Sequence, residues 1–213
     1  MARILIALAG GVGSGKTSVA KALGINNNFL LLPEYMEMLA THEQLALSKK
    51  TPRERLETFL ALEKVRYEIV TNSHAQHTLL DRCIWCLVAY EYARQKFDPS
   101  YLFRPSTDML SRTDVLIPNT TFFLYTSEAI RRLRCARRVT MIEDMFYSEV
   151  FNSDTANFFR NLGRFVDVRF VDTSRQGISQ IAEAIDRSLV LRPPPAVPLG
   201  WDVLTEVLKL CLT

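Results

Sequence analysis

Residues Gly10–Thr17 read G-G-V-G-S-G-K-T, a complete G-x-x-x-x-G-K-T phosphate-binding loop. Its chemistry follows from residue type. Glycines let successive backbone N–H groups curl around a phosphate, and the helix that comes next presents its positive dipole end to the same anion. In this reading Gly11, Val12, Gly13, Ser14, Gly15, Lys16, Thr17 and Ser18 cradle a nucleoside triphosphate, Lys16 reaches the β- and γ-phosphates, and the Thr17 hydroxyl ligates Mg²⁺. Two further segments carry charge suited to phosphoryl chemistry. Leu30-Leu-Leu-Pro33-Glu34 ends in a carboxylate able to take a proton from an acceptor hydroxyl, and Thr78-Leu-Leu-Asp81-Arg82 ends in a second carboxylate and a guanidinium. Asp81 suits a Mg²⁺ ligand or an acceptor contact, and Arg82 suits neutralisation of the transferred group. The densest charge is Ile130–Arg138, with five arginines in eight residues from Arg131. Like charges three and four apart destabilise a helix, so something anionic or acidic is expected to compensate them, and triphosphate is the economical candidate. Arg134 and Arg138 are the proposed clamps on the transition state.

These residues need a scaffold that brings them to one edge. Apolar runs at 3–9, 29–33, 78–81, 121–125 and 167–171 alternate with helical patterns at 16–24, 36–48, 52–72, 84–97, 127–137, 143–162 and 177–190. Such alternation predicts an α/β fold with a parallel sheet, crossover helices and ligands at the carboxyl ends of the strands. Thr51 and Pro52 predict a helix start, because Thr caps free amides and Pro suits the first turn. Arg192–Pro198 contains four prolines and reads as a stiff linker to a short amphipathic segment, Trp201–Leu212, expected to dock on its own core.

A chain of 213 residues, 48% hydrophobic and 23% charged, fits one α/β domain with a sizeable core. Its net charge of +3 does not imply nucleic-acid binding, and the arginine run lacks interleaved aromatics. No segment approaches the about 18 apolar residues of a membrane span, and no signal peptide is apparent, so the cytoplasm is the expected compartment. The four cysteines read as reduced thiols, with Cys83 and Cys86 as buried helix residues rather than a metal or redox pair. His74 and His77 read as a helix end and turn. A homodimer is among the assemblies the sequence admits.

The order of these features resembles the thymidylate kinase and deoxynucleoside kinase superfamily of P-loop NTPases. The matching points are the phosphate loop, Pro33-Glu34 after strand two, Asp81-Arg82 after strand three, an arginine-rich segment after Thr126-Ser-Glu128, and a last strand ending Val171-Asp172-Thr173-Ser174. The resemblance covers about residues 3 to 190. It implies a kinase domain over 1–191 with a proline-bounded tail over 192–213, five parallel strands with helices on both faces, an Arg-rich lid, and ATP with Mg²⁺. By that resemblance Glu34 is the base for an acceptor hydroxyl, Arg82 the family arginine, and Arg134 and Asp172 lie by the nucleotide. Residues 56–66 resemble the helix that carries a base-reading glutamine, with Glu57 at that position. Tyr35, Phe59 and Trp85 are candidate walls of the acceptor pocket. An ionised Glu57 only accepts hydrogen bonds, so the group it reads must present donors. Leu31, Leu32 and Pro33 supply no arginine for an acceptor phosphate, which favours a nucleoside over a monophosphate. The alternatives are a nucleoside monophosphate kinase, a kinase of an antibiotic or sugar, and a regulatory nucleotide-binding switch or nucleic-acid-dependent ATPase.

Overall fold

Five short runs of branched and aromatic residues form the strands β1 (Ile4–Ala9), β2 (Leu30–Leu32), β3 (His77–Asp81), β4 (Thr120–Tyr125) and β5 (Asp167–Asp172). A computed structural model describes residues 3–27, 29–47, 49–98, 114–136, 144–195 and 205–207. All strand pairs are parallel, in the order β2-β3-β1-β4-β5. The chain therefore leaves β1 toward one edge and later crosses to the other, so β1 sits at the point where strand order reverses. Ligands of open α/β sheets bind at the carboxyl ends of the strands at such a point, and the phosphate loop leaves β1 at that end.

Strand periodicity sorts the core into two layers. Ile6 and Leu8 of β1 face α1 (Lys16–Asn27) and the last long helix (Ile178–Leu191), packing with Val19, Leu23, Ile181 and Ile185. Ala7 and Ala9 face the other way, toward α4 (Pro52–Asn72), α5 (Ile84–Phe97) and the helix Glu149–Leu162. Two alanines in the central strand leave room for large side chains there, and Trp85, Phe158 and Phe159 fill it. Helix α5 is buried through most of its length, including residues 84–89, which is why its sequence shows no polar face over its first two turns.

The predicted helix over 36–48 divides into α2 (Tyr35–Met38) and α3 (Thr41–Leu47). Leu39 is extended between them, the Gln44 amide donates to the Met36 and Leu39 carbonyls, and Glu43 accepts from the Ala40 amide at 2.8 Å. Side chains bonding to nearby backbone thus replace the continuous helical ladder. The capping box of α4 forms, with the Glu54 amide donating to Thr51 Oγ1 and the Thr51 amide to Glu54 Oε2. Next come α6 (Glu128–Ala136), a 3₁₀ turn at Asp144–Tyr147, α7 (Glu149–Leu162) and α8 (Ile178–Leu191). The sequence reads the turn and α7 as one helix over 143–162. Ser148 separates them, because its hydroxyl accepts from the Phe151 amide and starts a new helix. Toward the C-terminus, Asn119 Nδ2 donates to the Pro195 carbonyl at 2.8 Å, and Val207 lies in the core cluster.

Candidate active site at the carboxyl ends of the strands

The turn after β1 is folded so tightly that side chains are excluded at two places. Gly10 has φ of 136°, and a Cβ there would lie 2.1 Å from the Leu124 carbonyl oxygen of β4. Gly13 has φ of 83°, and its Cβ would meet Cys135 Sγ at 2.8 Å. Both are left-handed conformations in which L side chains are strained. The loop then enters α1 with Val19 N donating to the Gly15 carbonyl at 3.0 Å. Lys16 folds back over the loop, its Nζ donating to the Gly11 carbonyl at 2.8 Å and to Ser14 Oγ at 3.3 Å. Burial lowers the Lys16 pKa to about 7, the Arg82 charge acts in the same direction, and Glu34, Asp81 and Cys86 work in the opposite one. An ammonium held in this state is stabilised by any polyanion brought to it.

Two carboxylates and an arginine stand beside that loop. Asp81, the last residue of β3, is in register with Leu8 of β1. Arg82 comes next with φ of 70°, the one non-glycine at positive φ among the described residues. Such a conformation costs about 1–3 kcal/mol and persists where its surroundings over-determine it. Arg82 Nε donates to Glu34 Oε1 and Nη1 donates to the Tyr90 hydroxyl, with the guanidinium 5.2 Å from the Tyr90 ring centroid. The desolvation of Arg82 is outweighed by Glu34 and Tyr90, which hold it protonated. Glu34 immediately precedes α2 but makes no side-chain cap there, and its carboxylate is turned to Arg82 instead.

Both Asp81 carboxylate oxygens are buried and accept no hydrogen bond among the described residues. A buried carboxylate without a partner is costly, and hard cations are the natural complement. Thr17 offers a hydroxyl and Asp81 two unbonded carboxylate oxygens, hard oxygen donors of the kind that hold Mg²⁺ alongside substrate phosphates, so these residue types fit that ion.

Part of the compensation expected for the arginine run comes from an acidic side chain of its own helix. Glu128 accepts from Arg131 Nη2 at 2.6 Å and from Arg132 Nε at 2.7 Å, so two of the arginines share one carboxylate of α6, which offsets one unit of their charge. Arg131 also donates to the Phe146 and Tyr147 carbonyls and ties the 3₁₀ turn to α6. Arg134 lies over the phosphate loop, its Nη1 donating to the Gly13 carbonyl at 3.4 Å and its Nη2 to the Thr173 carbonyl at 2.9 Å. Thr173 Oγ1 in turn donates to the Ser14 carbonyl at 3.1 Å. Arg134 is thus near the donor site, while Arg138 lies outside the described residues.

The remaining candidates disperse. Tyr35 is buried and donates to Glu63 Oε1 at 2.8 Å, with Phe59 packed against its ring at 5.6 Å. Trp85 is fully buried in the core cluster. Glu57 points to solvent and pairs with Arg53 at 3.2 Å, so it is not gathered with the other site residues. The buried carboxylate of α4 is Glu63, two turns further on, paired with Arg66 at 2.8 Å and with both side chains fully buried. Asp172 is exposed and accepts from the Ser174 amide at 2.8 Å, a bond that lowers its pKa and closes a local turn rather than facing the loop. Sequence reasoning missed Glu63, Arg66 and Tyr90. Their available signal was position: 63 and 66 fall on the same helical face as Leu56, Leu60 and Val70, where an unpaired charge is excluded. Cys83 and Cys86 are buried free thiols at the start of α5. Burial raises the Cys86 thiol, but the bond from Cys83 and the Arg82 charge override it and bring its pKa down to about 7.

Residues 5–150 match the AAA domain family. The chain belongs to that family. A comparison of this AAA-domain protein with curated proteins finds no match. Among solved structures it is similar to deoxyadenosine kinase from M. mycoides with bound dATP, with a TM-score of 0.68 and 17% identity over 88% of this chain and 100% of that one. It is also similar to thymidylate kinase from Candida albicans, with a TM-score of 0.65 and 18% identity over 89% of this chain and 92% of the other. Thymidylate kinase from Ehrlichia chaffeensis gives a TM-score of 0.61 and 17% identity, covering 89% and 99%. At such identities the likeness is one of fold, and the P-loop α/β architecture expected from the sequence is the architecture found.

Proposed function

We propose that this protein is an ATP-dependent small-molecule kinase that transfers the γ-phosphoryl group to a hydroxyl of a nucleoside or nucleoside-like acceptor. The observation that carries the reading is the Glu34–Arg82 pair at the carboxyl ends of β2 and β3, electrostatically coupled to Lys16 of the phosphate loop. Backbone amides of residues 11–17 and Lys16 bind the phosphate chain, and Arg134 covers it from α6. Thr17 and Asp81 would hold Mg²⁺, which when bound neutralises phosphate charge. Glu34 accepts the proton of the acceptor hydroxyl, and Arg82 fixes the orientation of that carboxylate and offers its remaining N–H groups to the transferred group. The fold shared with a deoxyadenosine kinase and two thymidylate kinases supports a nucleoside or nucleotide kinase, and the deoxyadenosine kinase is the one named for a nucleoside acceptor.

The reading is tested at Glu34. Glu34→Gln keeps shape and hydrogen bonding but removes the base, so ATP affinity by titration calorimetry stays within about twofold while turnover falls about 10²-fold or more. Unchanged turnover in that variant rejects Glu34 as the base.

A further inference from the structure

Arg66 lies on the buried face of α4, and its Nη2 donates to the carbonyl oxygen of Arg82 at 3.0 Å. At its other backbone end Arg82 is fixed by β1, because the Arg82 amide donates to the Leu8 carbonyl at 3.0 Å. Arg82 is therefore held on both sides in the left-handed conformation from which its guanidinium reaches Glu34 and Tyr90.

We propose that Arg66 is a positioning residue: by donating to the Arg82 carbonyl it holds the left-handed backbone of Arg82 and so aims that guanidinium at Glu34. Arg66 is itself held by a buried network. Glu63 Oε1 accepts from Arg66 Nη1 at 2.8 Å and from the Tyr35 hydroxyl at 2.8 Å, the Leu116 amide donates to Glu63 Oε2 at 3.3 Å, and the Arg66 guanidinium lies 4.8 Å from the Tyr35 ring centroid. Tyr35 is the residue after Glu34. The network therefore grips both partners of the Glu34–Arg82 pair from behind, one through the chain and one through a carbonyl. A neutral side chain of similar length fills the same space but cannot make the fork of bonds to Glu63 and to Arg82 together.

The inference rests on the kinase reading for its consequence in turnover, so its test includes a readout that does not. Removing one member of a buried ion pair strands the other, whereas neutralising both leaves no buried charge unpaired. The informative protein is therefore the neutral double variant Glu63→Gln/Arg66→Met, which keeps an acceptor for the Tyr35 hydroxyl, with Arg66→Lys beside it as the variant that keeps the charge. In the full-length chain, ¹⁵N-arginine side-chain spectra give a slowly exchanging Nε–H signal for Arg82, assigned by its loss in Arg82→Lys. We expect that signal to shift and exchange faster in both variants, with kcat about tenfold to 10²-fold lower and ATP affinity within about twofold of the parent. An unchanged Arg82 signal in either folded variant overturns the inference whatever the enzyme's activity. A parallel loss of melting temperature and ATP affinity without a specific change at Arg82 also overturns it, by making Arg66 a packing residue only. If the parent chain shows no acceptor-stimulated turnover, the kinase reading fails while the spectrum still decides the role of Arg66.

Discussion

The pH dependence of nucleotide binding is fixed by the state of Lys16. In the nucleotide-free chain burial and the Arg82 charge bring its pKa from 10.5 to about 7. A triphosphate placed against Nζ supplies negative charge and returns the amine to its ordinary protonated state. Binding therefore takes up a proton wherever the free protein has lost one, which is above pH 7. At pH 8 the free amine is about nine-tenths neutral, so binding consumes about 0.9 proton; at pH 6 it consumes about 0.1. Above pH 7 the apparent affinity falls about tenfold per pH unit. Calorimetric titration of Mg²⁺·ATP at pH 8 in two buffers of different ionisation enthalpy reads the uptake directly, because the observed enthalpy scales with protons drawn from the buffer. Lys16→Met should abolish the buffer dependence along with most of the affinity. A buffer-independent enthalpy at pH 8, with binding otherwise intact, refutes the reasoning. The same shift acts on folding in one direction: the unfolded chain keeps its proton up to about 10.5 and the fold gives it up from about 7. Stability from this group rises with pH across that window, by about 5 kcal/mol at most.

Three other outcomes rest on single contacts. Asp81→Asn alters a buried carboxylate whose oxygens accept no hydrogen bond among the described residues, so Mg²⁺-dependent turnover should drop at least about 10²-fold; unchanged turnover at saturating Mg²⁺ contradicts a metal role for Asp81. Gly10→Ala drives a Cβ to 2.1 Å from the Leu124 carbonyl at φ of 136°, and a loss of more than about 3 kcal/mol by urea denaturation is expected. Gly24→Ala, inside α1, meets only Leu31 at 3.6 Å and should instead raise the stability read by the same denaturation by about 0.5–1 kcal/mol.

Legibility in the sequence was limited to whatever is dictated locally. The phosphate loop is legible because its glycines answer a backbone requirement that no other residue meets, and Thr51-Pro52 is legible because a cap and a fixed φ act on adjacent residues. Helices 52–72 and 84–97 have the bounds their periodicity implies. The breaks at Leu39 and Ser148 were not legible, since each depends on a side chain competing with the helical ladder. Nor were the partners of charges set by tertiary packing. Glu57 and Glu63 are the same residue type, and only the helical face that Glu63 shares with Leu56, Leu60 and Val70 hints that the first is a surface ion-pair member and the second the centre of a buried network. Arg131 likewise reads as one more charge of the arginine run until Glu128 and the carbonyls of residues 146 and 147 occupy it. The left-handed backbone of Arg82 has no signature in residue type at all.

The central claim is phosphoryl transfer from ATP to a nucleoside-like hydroxyl. Its most direct measurement is ATP-to-ADP turnover with Mg²⁺ against a panel of nucleosides and their monophosphates, with Lys16→Ala as the blank. The account predicts turnover stimulated by at least one nucleoside and absent in the blank. Measurable ATP binding with no stimulation by any nucleoside contradicts it, and stimulation by a monophosphate alone moves the acceptor from a nucleoside hydroxyl to a nucleotide phosphate.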